Sequence, residues 1–179
     1  MGLLAVSFLG AIACVRDNTA DSAAGGPQPA GPPPLVLTSD APWPPRYASD
    51  PTWSRAAARD DFALARLAGR EGAEALLAAV GEGGSLARVA LAALPFAPDR
   101  HAARGGLCAL LPRVDAASRS LLLAALFDVV IGAPMTDDSV DPGADAICAR
   151  ELDAAARLEP QPPIDRDRAL AVRGRLRSP

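Results

Sequence analysis

Amphipathic helix patterns fill residues 71–131 of the chain. Alanine, leucine and valine recur there every three or four positions, which is the spacing of one face of an α-helix. The most apolar block, residues 121–127, belongs to a helix predicted over residues 116–131. Between Leu121 and Ile131 only Asp128 is charged, so we expect this helix to be buried on nearly every side.

An aspartate or a serine stands before most of these patterns, where its side chain can accept a hydrogen bond from the first helical turn. A proline follows twice, and its fixed φ suits the first helical position. The predicted helix starts follow Asp50, Ser85, Asp99, Asp115, Asp141 and Asp165. With a further pattern at residues 73–80, this spacing predicts six helices and a last short one.

Glycines indicate where the helices end. We expect Gly69 and Gly81 to close the first two helices. The pair Gly105-Gly106 is expected to split the fourth into a turn and a short helix.

The composition favours helices throughout. Half of the residues are apolar, yet only 4% are aromatic, so the core must be built from alanine and leucine. Such residues suit closely packed helices, whereas sheets favour β-branched and aromatic side chains. The sequence therefore predicts an all-α fold.

A repeat is visible within the helical region. Residues 89–94 align with residues 121–126 at a shift of 32 residues, and the same shift carries Leu126 to Leu158. Residues 76–94 resemble the bacterial HEAT-like repeat, with a leucine-rich first helix and with arginine and small residues in the second. The resemblance implies a short irregular α-solenoid, in which each helix pair is buried against its neighbours. A bundle of six to seven helices is the alternative.

Residues 2–13 form an apolar run that ends in small side chains before Cys14. The run is too short to span a bilayer, which takes roughly 20 residues, but it has the length of a signal-peptide apolar region. Ala11-Ile12-Ala13-Cys14 resembles the lipobox of bacterial lipoproteins, in which the cysteine is acylated. The resemblance implies a lipid-anchored protein of the bacterial cell envelope. The alternative is a cytoplasmic protein whose apolar N-terminus folds onto the domain.

Composition also divides the chain into parts. A Pro- and Gly-rich stretch has too little apolar surface to offset its ordering entropy, so we expect a disordered tether there. Trp43 and Tyr47 at its end are expected to pack on the first helix. The expected parts are a signal peptide at residues 1–13, an anchor site and linker at 14–49, a helical domain at 50–160, and a short helix with a basic tail at 161–179.

Cys108 and Cys148 are the two thiols that remain if Cys14 carries lipid. An exported compartment permits a disulfide between them, which would close a loop of about 40 residues. The alternative is two buried free thiols that behave as small hydrophobic side chains.

Charge excludes several classes of function. The net charge of −3 gives no basic footprint for nucleic acid. All 18 basic residues are arginine, and a chain without lysine has neither Schiff-base chemistry nor a Walker-type phosphate lysine.

Three stretches resemble functional sites without meeting their requirements. An EF-hand loop starting at Asp137 would need glycine and glutamate where Pro142 and Cys148 stand. Residues 81–85 lack the third glycine and the preceding strand of a dinucleotide loop. His101 is the only histidine, and no nucleophile elbow accompanies it. We expect no metal and no cofactor.

We interpret the chain as an envelope-tethered protein-interaction or scaffold module without catalytic activity. It would have an unidentified protein partner and would contact the membrane through Cys14. This interpretation rests on the extended face that α-solenoids offer to partners. The alternatives are an enzyme or enzyme accessory with a carboxylate and arginine site near His101, and a cytoplasmic helical binding protein.

Overall fold

The computed structural model describes residues 33–132 and 142–176, and these residues are all-α, which confirms the predicted fold class. The helices in these ranges are α1 (Pro45–Ala48), α2 (Pro51–Ala56), α3 (Asp61–Gly81), α4 (Gly84–Ala93), α5 (Arg100–Leu110), α6 (Ala116–Ile131), α7 (Pro142–Ala156) and α8 (Pro163–Arg175). Short 3₁₀ turns, Leu94–Phe96 and Leu111–Arg113, follow α4 and α5. None of the helices in the described ranges is long and apolar enough to cross a bilayer.

The helix starts predicted at Asp50, Asp99 and Asp115 are confirmed, because each carboxylate accepts a hydrogen bond from a first-turn backbone N–H. The starts predicted at Ser85 and Asp165 are wrong. Helix α4 begins at Gly84 and α8 at Pro163, which places Ser85 and Asp165 inside their helices. Each side chain instead accepts a hydrogen bond from a residue distant in sequence, Ser85 from the Trp43 indole and Asp165 from the Ser120 hydroxyl.

Glycine positions explain most differences between predicted and observed helix ends. Gly81 ends α3 as predicted, but Gly69 does not interrupt it; the bend lies at Gly72, whose φ is 75°. The predicted split at Gly105-Gly106 is also wrong. A Cβ at Gly106 would lie 2.2 Å from Leu77 Cδ1, so this glycine lets α5 approach α3 closely within a continuous helix.

Asp50 connects the start of α2 to the middle of α3. Arg70 donates hydrogen bonds to Asp50 Oδ1 at 3.1 Å and to Asp50 Oδ2 at 2.7 Å. The Arg70 guanidinium, together with the Thr52 N–H, lowers the pKa of Asp50 to about 2. Because the pKa of Asp50 lies below its ordinary value of 3.8, the Arg70–Asp50 pair stabilises the fold fully at pH values above 3.8. Its contribution disappears as the pH falls towards 2.

The larger helices pack as successive pairs in two layers. The pairs are α3 with α4, α5 with α6, and α7 with α8. The first helices of the pairs contact one another in the order α3, α5, α7, and the second helices in the order α4, α6, α8. The sequence aligns residues 89–94 with residues 121–126. The first segment covers the end of α4 and the first residue of the 3₁₀ turn after it, and the second lies on α6 in the same layer. The third segment that this shift reaches ends at Leu158, just after α7 in the first layer, whereas the neighbour of α6 in the second layer is α8.

Helix α6 lies at the centre of this arrangement. Its bounds, Ala116–Ile131, are those predicted, and between Leu121 and Ile131 only Asp128 is exposed. Helix α6 contacts α4, α5 and α8. The prediction that it is buried on nearly every side is confirmed.

Residues 34–49 belong to the same compact unit as the helices, so the predicted domain boundary at residue 50 is wrong. Residues 35–40, which we name the strap, lie across α4 and the start of α6 without forming a helix, and the chain bends at Leu37 and Thr38. The Leu35 N–H donates to the Arg113 carbonyl at 2.7 Å, in an isolated parallel β-bridge with Val114. Leu37 is 0% exposed and belongs to the core. Two leucines thus give this Pro-rich stretch an apolar side that the folded domain buries.

The strap is also held through its polar groups. Arg88 of α4 donates to the carbonyls of Leu37 and Ser39, each at 3.2 Å, and to Asp40 at 2.9 Å. Farther along the chain, the Trp43 indole N–H donates to Ser85 Oγ at 2.8 Å.

Glycines Gly83 and Gly84, with φ of 78° and 63°, let the backbone before α4 approach the strap. The Gly84 N–H donates to the Val36 carbonyl at 3.0 Å, and a Cβ on Gly83 would lie 2.9 Å from that oxygen. Trp43 and Tyr47 make edge-to-face contacts with Trp53 of α2, so the prediction that they pack on the first helix is confirmed.

Candidate protein-interaction surface

The structure joins Cys108 of α5 to Cys148 of α7 by a disulfide, with Cα atoms 5.0 Å apart. Both residues are buried, and they lie on the apolar faces where α5 and α7 meet. The bond therefore links the second helix pair to the third within the first layer.

Two sequence-predicted features lie outside the described residues. Cys14, the expected lipidation site, precedes residue 33. The acidic stretch at residues 137–141 falls between α6 and α7. The turn predicted between helices at residues 81–85 is found at Glu82 and Gly83, whereas Gly84 and Ser85 already belong to α4.

His101 lies on α5 beside Arg104. Arg104 Nη2 lies 3.1 Å from His101 Nδ1 and 2.5 Å from Asp145 Oδ1. Asp145 is buried, and its charge is balanced by the Arg104 guanidinium. The Arg104–Asp145 ion pair therefore links α5 to α7.

A groove of about 440 Å³ lies on the side of α7 away from α5. Its lining residues are Ala146, Ala149, Arg150, Asp153 and Ala154 of α7, Arg157 directly after α7, and Arg173 of α8. At 100° per residue, the α7 members point roughly opposite to Cys148, which bonds to α5. We name this feature the α7–α8 groove.

Small side chains form much of the groove and larger apolar ones stand beside it. Ala146, Ala149 and Ala154 leave the α7 backbone accessible to a close neighbour. Ile147 of α7 is 51% exposed, and Leu158, two residues beyond the end of α7, is 41% exposed. Exposed apolar residues near an alanine-lined groove are typical of a surface that packs against another helix.

The groove is basic although the chain as a whole is acidic. Three arginines and one aspartate line it, whereas the net charge of the chain is −3. Arg150 pairs with Glu151 at 2.8 Å, and Arg173 lies 3.5 Å from Asp153. Arg157 makes no ion pair with any of the described residues. Its guanidinium is therefore available to a carboxylate of another molecule.

Sequence reasoning missed this groove. Arg150 and Arg157 are seven residues apart and therefore share one face of a helix, opposite Cys148. That spacing could have indicated a basic face on this helix. Arg173, in the region predicted as a short helix with a basic tail, lies on α8 at the edge of the groove.

In residues 33–132 and 142–176, no group of three His, Cys, Asp or Glu side chains could hold a metal ion. No protein-family model, no curated protein and no solved structure matches this chain.

Proposed function

We propose that this chain is a protein-interaction module held at the bacterial envelope by lipid on Cys14, and that its α7–α8 groove binds an acidic helix of a partner protein. The α7–α8 groove is the observation on which the proposal rests. Alanines and arginines line it together, on a face of α7 that no other helix of the described residues covers. The lipid anchor rests on the lipobox-like residues before Cys14.

The order of helix contacts supports a HEAT-like α-solenoid as the architecture of this module. In such arrays each helix pair contacts only the pairs before and after it, and the end pairs expose a face. The pairwise contacts of α3 to α8 follow this order. The α7–α8 groove lies on the face of the last pair, where a further helix would pack.

The charge of the groove selects the occupant. Arginine binds carboxylates bidentately and is readily desolvated, so three arginines favour a helix that carries Asp or Glu beside its apolar stripe. The alanines allow the two helix axes to approach closely. An anionic membrane surface would also attract arginine, but it would not fill a concave groove lined by small side chains.

A photo-crosslinking amino acid at Ala154, introduced in cells that contain the native partner, tests the groove. We expect one crosslinked protein, joined through an acidic helix. Arg157→Glu should reduce the yield by about tenfold or more, because like charges then face each other. A charge reversal in the partner helix should restore the yield. Arg113→Glu, an exposed change of the same charge outside the groove, should leave it unaltered.

Two results contradict the groove proposal. One is a crosslink from Ala154 that reaches lipid rather than protein. The other is equal labelling from Ala154 and from the exposed Ala65 of α3, which would indicate random encounter.

The anchor has its own test. Cells supplied with a radioactive fatty acid should label the wild-type chain, and Cys14→Ser should abolish the label because the acylated thiol is absent. Cys108→Ser is the matched control and should keep the label. Label that persists in Cys14→Ser excludes Cys14 as the anchor.

A further inference from the structure

The described core contains the buried polar side chains Ser118, Asp145 and Asp165. Asp145 is paired with Arg104. Ser118 and Asp165 are the third residues of α6 and α8, and each begins the buried face of its helix. These faces are Ser118, Leu122, Ala125 and Val129 in α6, and Asp165, Ala169, Val172 and Leu176 at α8. The two polar residues therefore occupy equivalent places in the second layer.

Ser118 holds the backbone of the strap. Its hydroxyl oxygen accepts a hydrogen bond from the Leu37 N–H at 2.7 Å. The Ser118 hydroxyl and N–H in turn hydrogen-bond to Asp115 and lower the pKa of that carboxyl. Arg88 donates to carbonyls of the same strap. The junction of α4 and α6 thus binds the non-helical strap mainly through the strap's main-chain groups.

The junction of α6 and α8 has a groove of about 260 Å³ in the corresponding place. Arg119, Ser120, Gln161 and Asp165 line it, between Pro160 and Pro162. Asp165 is 3% exposed, and its Oδ2 accepts from the Ser120 hydroxyl. Asp165 Oδ1 has no hydrogen-bond donor among the described residues, and Arg168 Nη1 lies 3.6 Å away.

A second acceptor in this groove also lacks a donor. Gln161 Nε2 donates to the Ala156 carbonyl at 3.0 Å, which fixes the orientation of the amide. Gln161 Oε1 is buried without a donor among the described residues. Buried acceptors are rarely left without a partner, because they lose water and gain nothing in return.

We propose that this α6–α8 groove binds an extended peptide segment of a partner protein. Its backbone N–H groups donate to Asp165 Oδ1 and Gln161 Oε1, and a backbone carbonyl accepts from Arg119, as strap carbonyls accept from Arg88. An extended strand offers free N–H and C=O groups, whereas a helix uses both internally. The inference shares with the proposed function the premise that the array binds proteins, but it uses other residues than the α7–α8 groove.

The strap sequence supplied in trans is the probe, because it already fits the equivalent junction. We expect the acetylated and amidated peptide Leu-Val-Leu-Thr-Ser-Asp, titrated into the ¹⁵N-labelled full chain, to shift the amide signals of Ser120 and Asp165 saturably. The same peptide with an N-methyl group on its third residue lacks the N–H that Leu37 donates. It should bind roughly tenfold more weakly or worse, as expected for loss of a hydrogen bond to a carboxylate.

Substitutions separate the groove from other surfaces. Asp165→Ala and Gln161→Ala should each weaken the peptide by about tenfold. Glu74→Ala, which removes an exposed carboxylate of α3, should bind as the wild type does. Asp165→Ala removes a buried charge whose Oδ1 atom has no hydrogen-bond donor, so we expect the variant to fold. A dispersed amide spectrum of the variant checks this.

Three results overturn the proposal: no shift at Ser120 and Asp165, equal binding of the two peptides, or equal binding by wild type and Asp165→Ala. A fourth is a set of nuclear Overhauser contacts, in the peptide-free chain, between Ser120 and residues before Pro33. They would assign the groove to the protein's own segment. None of these readouts depends on crosslinking at Ala154, so failure here and failure of the α7–α8 groove proposal are distinguishable.

Discussion

Leu37→Ala is expected to lower the free energy of unfolding by about 2–5 kcal/mol, the range for a fully buried leucine that leaves a cavity. Leu37 is 0% exposed although it lies in a Pro-rich stretch. Urea unfolding followed by circular dichroism measures the change as a lower midpoint with little change in slope.

Val36→Ala is the matched control for this prediction. Val36 is the preceding strap residue and is 41% exposed, so its truncation should change the free energy of unfolding by no more than about 0.5 kcal/mol. If both variants have the wild-type midpoint, the strap does not belong to the cooperative unit. The folded domain would then begin near residue 50.

Local chemistry accounts for what the sequence predicted well. Asp99 and Asp115 cap α5 and α6 through hydrogen bonds to residues only three positions away. The stretch of α6 from Leu121 to Ile131 has no polar face, and a helix that is apolar on every side is expected to be buried on every side. Such signals need no knowledge of the rest of the fold.

Long-range contacts account for what the sequence could not predict. Gly106 reads as a helix breaker, but its role is to leave room for Leu77 of another helix. Ser85 reads as a cap, but its hydroxyl accepts from Trp43, 42 residues away. In each case a partner distant in sequence decides the role of the residue, and local propensity yields to that partner.

The same reason explains the missed strap and grooves. Leu35 and Leu37 follow a run of prolines, and they are buried because they pack on α4 and α6, which are distant in sequence. Asp165 reads as a helix cap until its position is compared with that of Ser118 on the neighbouring helix. Residues 89–94 and 121–126, which the sequence aligns, lie at α4 and α6, and these two helices contact each other. The same shift of 32 residues carries Leu126 to Leu158, which follows α7, and does not reach α8.

Reduction of the Cys108–Cys148 disulfide is expected to lower the free energy of unfolding by about 4 kcal/mol. The bond joins residues 40 positions apart, and the chain-entropy model gives this value for a loop of that length. The reduced unfolded chain is also less restricted, so the dependence of the free energy on urea should become steeper. Urea unfolding of the same protein with and without dithiothreitol measures both effects.

The double variant Cys108→Ala/Cys148→Ala is the control, because it lacks the bond and should unfold at the same urea concentration with or without dithiothreitol. Oxidised wild type should unfold at a higher urea concentration than this variant, because the variant lacks the bond between α5 and α7 and loses two buried sulfur atoms from their contact. Two free thiols found by mass spectrometry of the non-reduced protein from its native compartment would contradict the prediction. The contact between α5 and α7 would then depend on apolar packing and the Arg104–Asp145 pair alone.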